Sequence, residues 1–182
     1  MRYDKIIQGK KIYLRQLEVE DCKQYYIDWL NNEELNKFLE PRWQTHTISS
    51  NQKYVQKAID SDDMYIFAII ADGKHIGNVH IGNIHPIYKF GSIGCLIGDK
   101  DYWGKGIASE AINLICDFGL NTLNLHKIQA CIYADNIGSQ KATLKSGFVK
   151  EAVYRKQRFI HKGDEYCDYY EYGLLKEEFI KL

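Results

Sequence analysis

Two stretches of this chain repeat one arrangement: a short apolar strand, a polar turn, then a helix. The first runs through residues 90–120 and the second through residues 127–148. In the first, Ile93, Cys95 and Ile97 alternate on one strand face. Ala108, Ile112, Ile115 and Gly119 then form a stripe of helical period. Two such units in succession put both helix starts at the same edge of one sheet. If their strands are neighbours, both turns flank one cleft.

The remaining segments complete a sheet around these units. Residues 11–17 alternate as a strand. Asp21 is placed to open a helix with Cys22, Tyr25 and Trp29 on one stripe, and residues 49–59 form a second helix through Gln52, Val55 and Ile59. Residues 64–71 and 76–84 flank Asp72-Gly73, a hairpin turn signal, and residues 148–160 and 165–174 make a last long hairpin around Lys162-Gly163. The expected order is strand, two helices, three strands, helix, strand, helix, two strands. This predicts an α/β (α+β) fold, helices packed on a mixed sheet, as a single domain over residues 1–182.

Charge and cysteine usage narrow the partners. Basic and acidic side chains number 24 each, and no stretch is strongly basic, so neither nucleic acid nor an anionic membrane is an expected partner. Apolar runs such as residues 66–71 are too short to span a bilayer, and the N-terminus lacks the apolar core of a signal peptide. Cys22, Cys95, Cys116, Cys131 and Cys167 are odd in number and form no C-x-x-C pair. They are expected to be reduced thiols in a cytoplasmic protein, with no metal framework.

The first turn reads "YWGKGIASEA", residues 102–111. A helix start leaves N–H groups without intrahelical partners, and the dipole adds partial positive charge. Glycines such as Gly104 and Gly106 let phosphate oxygens approach without meeting a Cβ. The turn therefore suits an anion, and best a diphosphate, with Lys105 adding charge. G-x-G alone also fits any tight strand-to-helix turn. The dinucleotide fingerprint needs a third glycine where Ser109 stands, and no G-K-[ST] follows. The second turn reads "ADNIGSQKATLKSGF", residues 134–148. Asn136 is placed as the helix cap, Ser139 lies in the first turn, and Gly147 closes the helix. Capping alone would account for Asn136 and Gly147.

With these motifs in order, the chain resembles the GNAT superfamily of acetyl-CoA-dependent N-acetyltransferases. The likeness runs from "YLRQLEVEDCKQYYIDWLNN" through "GKHIGNVHIG" and "DKDYWGKGIASEAI" to "NLHKIQACIYADNIGSQKATLKSGFVKEAVYR". Within the superfamily it is most similar to the ribosomal-protein N-terminal acetyltransferases, with spermidine and nucleotide-aminosugar acetyltransferases also similar. The resemblance implies a mostly antiparallel sheet with two parallel strands splayed at a coenzyme A cleft. It implies that the pantetheine arm pairs with strand backbone at Leu96 and Ile97. The pyrophosphate would rest on N–H groups of Trp103, Gly104, Lys105, Gly106, Ile107 and Ala108. Asn136 would bond the pantetheine arm, and Lys145 would lie towards the outer phosphates. The partners implied are acetyl-CoA and an amine acceptor, bound by a monomer or homodimer. Asp101 departs from the Gln or Arg that often begins the family's turn.

The chemistry sets further demands. A neutral amine attacks a thioester carbonyl, the oxyanion needs donors, and the leaving thiolate benefits from a proton. No cysteine is obviously activated, so direct attack is expected. The Ile97 N–H is the oxyanion donor that the resemblance implies. Thr143 stands where many relatives have a Tyr acid, and Ser92 where many have a Glu. Ser139 matches a serine that faces the sulfur in the ribosomal-protein subgroup, and Arg158 replaces that subgroup's Glu. Base candidates are His80, expected to titrate near neutrality, His85, and Asp168, which could instead hold the acceptor's ammonium. His126 reads as a strand anchor, and His46 and His161 as loop residues.

The acceptor is least constrained. By resemblance the first helices, with Tyr25, Tyr26, Trp29, Phe38 and Trp43, overhang the acceptor groove, although a core stripe accounts for Trp29. Arg155 and Arg158, beside Tyr154, favour an anionic acceptor over a polyamine. The expected acceptor is a protein N-terminus or a nucleotide-linked aminosugar. The alternatives are a polyamine or small amine, or a non-catalytic acyl-CoA sensor.

Overall fold

A computed structural model describes residues 2–181. Eight strands form one sheet in the order β1-β2-β3-β4-β5-β6-β8-β7. They are β1 (Ile7–Gln8), β2 (Tyr13–Gln16), β3 (Tyr65–Ala71), β4 (Lys74–His85), β5 (Phe90–Ile97), β6 (Lys127–Tyr133), β7 (Val149–Arg158) and β8 (Cys167–Leu175). The helices are α1 (Gln24–Asn31), α2 (Glu33–Asn36), α3 (Ile48–Asp60), α4 (Ile107–Asp117) and α5 (Ile137–Lys145). Every neighbouring pair is antiparallel except β5 and β6. Those two pair in parallel over three rungs only, from Phe90↔Lys127 to Ser92↔Gln129, and then part.

Local chemistry explains the boundaries. Asp72 and Gly73 both take positive φ, 50° and 72°, as the β3–β4 hairpin turn requires. Thr47 and Ser50 exchange side-chain and backbone hydrogen bonds as the capping box of α3. Asp21 does not open a helix. Its carboxylate receives both Nη groups of Arg15 at 2.7 Å and the N–H of Glu18. Burial alone would raise its pKa, but those donors bring it below the ordinary range. Engaged in this way, Asp21 ends a 3-10 turn (Val19–Asp21), and α1 starts three residues later. The short α2, capped by Asn32, and the two-residue β1 carry too little periodicity to be seen in the sequence. The last hairpin forms as expected, but its second strand, β8, inserts between β6 and β7.

Two cores lie on opposite faces of the sheet. Phe67, Val79, Ile81 and Ile128 face α4 with Ile112, Ile115 and Phe118. Ile66, Ala68 and Ile70 face α1 and α3 with Tyr26, Leu30 and Val55. Gly119 closes the first contact, since a Cβ there would lie 2.7 Å from Ile81 and 2.9 Å from Ile128. The helix widens into a π turn (Phe118–Thr122) at that point. On the second face, a Cβ on Gly98 would lie 2.0 Å from the Trp29 indole. Trp29 therefore seats α1 directly on the end of β5.

Gly98→Ala should force that ring to move. The expected cost is about 1–3 kcal/mol, typical of overpacking, read as a lower midpoint in urea unfolding with an unchanged slope.

Candidate active site

The site begins where β5 and β6 part. In the β4–β5 ladder Gly98 N–H donates to Ile76 O, and Leu96 O lies against Gly77. Antiparallel alternation then commits Leu96 to β4 and turns the N–H and C=O of Cys95 and Ile97 towards β6. Ile97 C=O is already taken by the Trp103 indole N–H at 2.9 Å, which leaves the Ile97 N–H facing the gap. The Leu96 side chain packs against the core on the α1 and α3 face. Residues 92–97 are only half-buried, although β5 is a central strand, because the gap beside them is open.

The glycine turn stands above this gap. Gly104 and Gly106 have φ of 72° and 81°, and a Cβ on either would meet nothing within 4 Å. Gly106 is the N-cap of α4, which starts at Ile107, two residues earlier than expected. A cavity of about 580 Å³ opens there, lined by Gly104, Lys105, Gly106, Glu110, Lys145 and Lys181. Its wall is fixed by Glu110, whose Oε1 accepts the N–H groups of Lys10 at 2.5 Å and Lys11 at 2.9 Å. Lys11 Nζ donates to Lys105 O at 2.9 Å. The cavity thus has cationic walls and a helix start, which suits phosphates. Asp101 is exposed, and its N–H is bonded by the side chain of Asp99. Ala108 is half-buried behind the turn.

The second turn flanks the same gap. Asn136 Oδ1 accepts the Ser139 N–H at 3.1 Å, so Asn136 is the cap and keeps its amide NH2 free for a ligand. The Ser139 hydroxyl is half-buried and has no hydrogen-bond partner among the described residues. Thr143, where relatives carry a tyrosine, is buried.

The two histidine-bearing stretches behave differently. His80 faces the α1 side, opposite Gly94, and its ring lies over that bare glycine; a Cβ there would come within 2.4 Å. No hydrogen bond holds the ring among the described residues. Burial pushes its pKa down to about 4. The half-buried ring is thus held neutral where the sequence reading expected titration near neutrality. His75, unnoticed in the sequence, donates from Nε2 to Asn78 Oδ1 at 2.9 Å and accepts the Tyr25 hydroxyl at Nδ1, 3.0 Å away. Burial lowers its pKa too. The Asn78 Nδ2 is buried without a partner. His85 accepts backbone N–H groups of Ile87 and Tyr88, stacks on Phe90, and belongs to the β4–β5 turn.

The structure does not bring Asp168 to His80. Asp168 lies on the α4 face of β8, in phase with Tyr170 and Tyr172, and its Oδ1 accepts the Lys156 N–H at 2.9 Å. The opposite face carries Gln129, Cys131 and Tyr133 on β6 and Tyr169 and Glu171 on β8. Residues 38–43 roof it. Arg42 donates to the carbonyls of Leu39, Phe159 and Ile160 and to the Tyr133 hydroxyl. Arg158 pairs with Glu40 at 3.6 Å and stacks on Tyr169. Of the two arginines behind the expectation of an anionic acceptor, Arg158 is thus engaged internally. Arg155 is exposed on the edge strand. Trp43, 52% exposed, lies at the lip under the Arg42 guanidinium.

Comparison with known proteins agrees with this geometry. A family model described as "Acetyltransferase (GNAT) domain" matches residues 11–149. The "Probable N-acetyltransferase YjcK" of Bacillus subtilis (strain 168) is 32% identical over 159 residues, covering 83% of this chain and 87% of that protein. The crystal structure of spermidine N-acetyltransferase from Vibrio cholerae in complex with CoA and spermine superposes with a TM-score of 0.82 at 24% identity, covering 93% of this chain and 98% of that one. RimL, a ribosomal L7/L12 alpha-N-protein acetyltransferase in complex with coenzyme A, also reaches 0.82, at 19% identity, covering 94% and 98%.

The depressed histidines make stability depend on pH with a definite sign. Between the unfolded His value of about 6.5 and the folded value of about 4 for His80, the unfolded chain binds a proton that the native chain does not. Unfolding free energy should therefore fall as pH drops through this window. His80→Gln should flatten part of that slope in denaturant titrations run from pH 7 to 4, leaving the share of His75.

Proposed function

The chain belongs to the GNAT acetyltransferase family, and from that membership and the open wedge we propose that it moves an acetyl group from acetyl-CoA to a primary amine by direct attack in a ternary complex. The observation that carries the reading is the Ile97 N–H, unclaimed in a parallel gap that leads to the open Gly104–Gly106 turn. In this assignment the turn and Lys105, Lys145 and the N–H groups from Trp103 to Ala108 hold the phosphates. The Asn136 amide and the β5 backbone at Cys95 and Ile97 hold the arm.

The reaction needs one bond made and one broken. The acceptor nitrogen bonds to the thioester carbon, the C–S bond breaks, and the nitrogen's proton ends on the thiolate. Ile97 N–H is assigned to the carbonyl oxygen as negative charge develops. The Ser139 hydroxyl, free of any capping duty, is assigned to the departing sulfur. His80 enters as a neutral imidazole, a weak base whose lone pair is assigned to accept a hydrogen bond from the acceptor amine through water and so orient it. Asp168 is left a structural role at the β7 bulge. The GNAT neighbours named above act on spermidine and on a ribosomal protein, and an acceptor amine on either a small molecule or a peptide fits an entrance on the α1 face. Five unpaired cysteines, all with thiols pushed up by burial, support action in the reducing cytoplasm.

Calorimetry with coenzyme A tests the carrier site. Gly104→Ala, which adds a Cβ where phosphate oxygens would lie, should weaken binding about tenfold or more, beyond the ~1–2 kcal/mol of left-handed strain charged to the fold. Unchanged affinity would remove the turn from the site. Thiol release from acetyl-CoA across a panel of amines and peptides tests turnover, and binding without release would favour a sensor. Ser139→Ala should lower kcat by about tenfold to a hundredfold with little change in coenzyme A affinity; an unaltered kcat would leave the serine no part in proton delivery.

A further inference from the structure

We infer that Glu171 selects the acceptor: it receives a second positive charge, an ammonium or guanidinium carried by the amine substrate some distance from the nitrogen that is acetylated. The inference rests on the acetyl-transfer reading above and deepens it.

Glu171 lies on β8 opposite Cys131 of β6, on the sheet face away from α4 and α5. The carrier enters from the starts of those two helices, so the amine is left the other face. Along that face the floor runs from His80 over Gly94 to Ser92 and Gln129, then to Cys131 and Glu171. The roof is the 38–43 segment, pinned through Arg42.

The carboxylate is held but not neutralised. Gln129 Nε2 donates to Oε1 at 2.6 Å, and the Tyr154 hydroxyl donates to Oε2. Both donors are uncharged, and a carboxylate has about four acceptor positions. No lysine or arginine lies within ion-pair distance among the described residues. Two cations flanking it in the sheet have other partners: Lys127 pairs with Glu151 and Arg158 with Glu40. A half-buried, oriented, unpaired carboxylate among Tyr133, Tyr154 and Tyr169 is a receptor for a cation. Its field is felt by its neighbours. The Tyr154 pKa is raised by the hydrogen bond to Glu171, and that of Cys131 by burial and by the same charge.

The sheet also sets a length. By the parallel register, Cys131 stands level with Gly94, three residues short of Ile97. That is about 10 Å along the strand at ~3.3 Å per residue, with two strand spacings of ~4.8 Å, β5 to β6 and β6 to β8, across it. The second charge should therefore sit roughly 10–15 Å from the reacting nitrogen.

The experiment compares linear diamines of increasing length with monoamines of equal length, by thiol release from acetyl-CoA. The wild-type chain should prefer the longer diamines in kcat/KM by about tenfold or more, as one charged hydrogen bond implies. In Glu171→Gln the diamine-to-monoamine ratio should fall towards one, and in Glu171→Lys it should invert. Added salt should erode the wild-type preference, a readout that needs no variant to fold. Equal treatment of the two series by the wild-type chain, or a preference that survives Glu171→Gln, would overturn the assignment to Glu171. No thiol release with any amine would instead overturn the acetyl-transfer reading beneath it.

Discussion

The structure depends on two neighbouring strands ceasing to pair. Three rungs join β5 to β6, and beyond Ser92 and Gln129 the strands diverge. Main-chain N–H and C=O groups cannot be left unmet inside a protein without cost. The divergence therefore creates an edge in the middle of a sheet, and the rest of the fold manages that edge. Trp103 covers one group by bonding Ile97 O. The N–H of Ile97 is left to water or a ligand. A long, thin carrier with amide groups of its own is the kind of molecule that completes such a ladder.

Keeping the wedge open requires both sides to be braced separately. On the β5 side, Trp29 rests on Gly98 and Phe118 packs against Phe67 and Tyr65. On the β6 side, β8 supplies a full antiparallel partner, from Lys127↔Leu175 to Tyr133↔Tyr169. Insertion of β8 between β6 and β7 is thus more than a topological detail. It lets β6 satisfy one edge completely while giving up most of the other. The Arg42 clasp then ties the roof to the chain just beyond β7.

Much of this was legible in the sequence because it is local. Strand alternation at Ile93, Cys95 and Ile97, the glycines of the first turn and the Asn136 cap each depend on a few neighbouring residues. What was not legible depends on pairing across the sheet. Asp21 looked like a helix cap until Arg15, six residues away on another element, took its carboxylate. His80 looked like a residue titrating near neutrality, since nothing in its own strand reveals how far burial lowers its pKa. Asp168 and Glu171 are three apart on one strand, so they point to opposite faces, and only the position of β8 decides which of them meets the groove.

The chain has no net charge, yet its charges are sorted. Lys10, Lys11, Lys105, Lys145 and Lys181 collect around the glycine turn, while on the groove face Glu40 is paired with Arg158 and Glu171 has no cation within ion-pair distance among the described residues. An unpaired carboxylate there carries a chemical difficulty, because it favours the ammonium form of an amine that must be neutral to attack. Distance reduces it. At ~4 Å in a protein-like medium a unit charge would stabilise the ammonium by about 4 kcal/mol, whereas at ~10 Å in the same medium the figure is about 1.7 kcal/mol. A carboxylate set one strand beyond the wedge can hold a remote charge and bear less than half as strongly on the reacting nitrogen. His80, its pKa pushed down by burial, adds no positive charge of its own to that face.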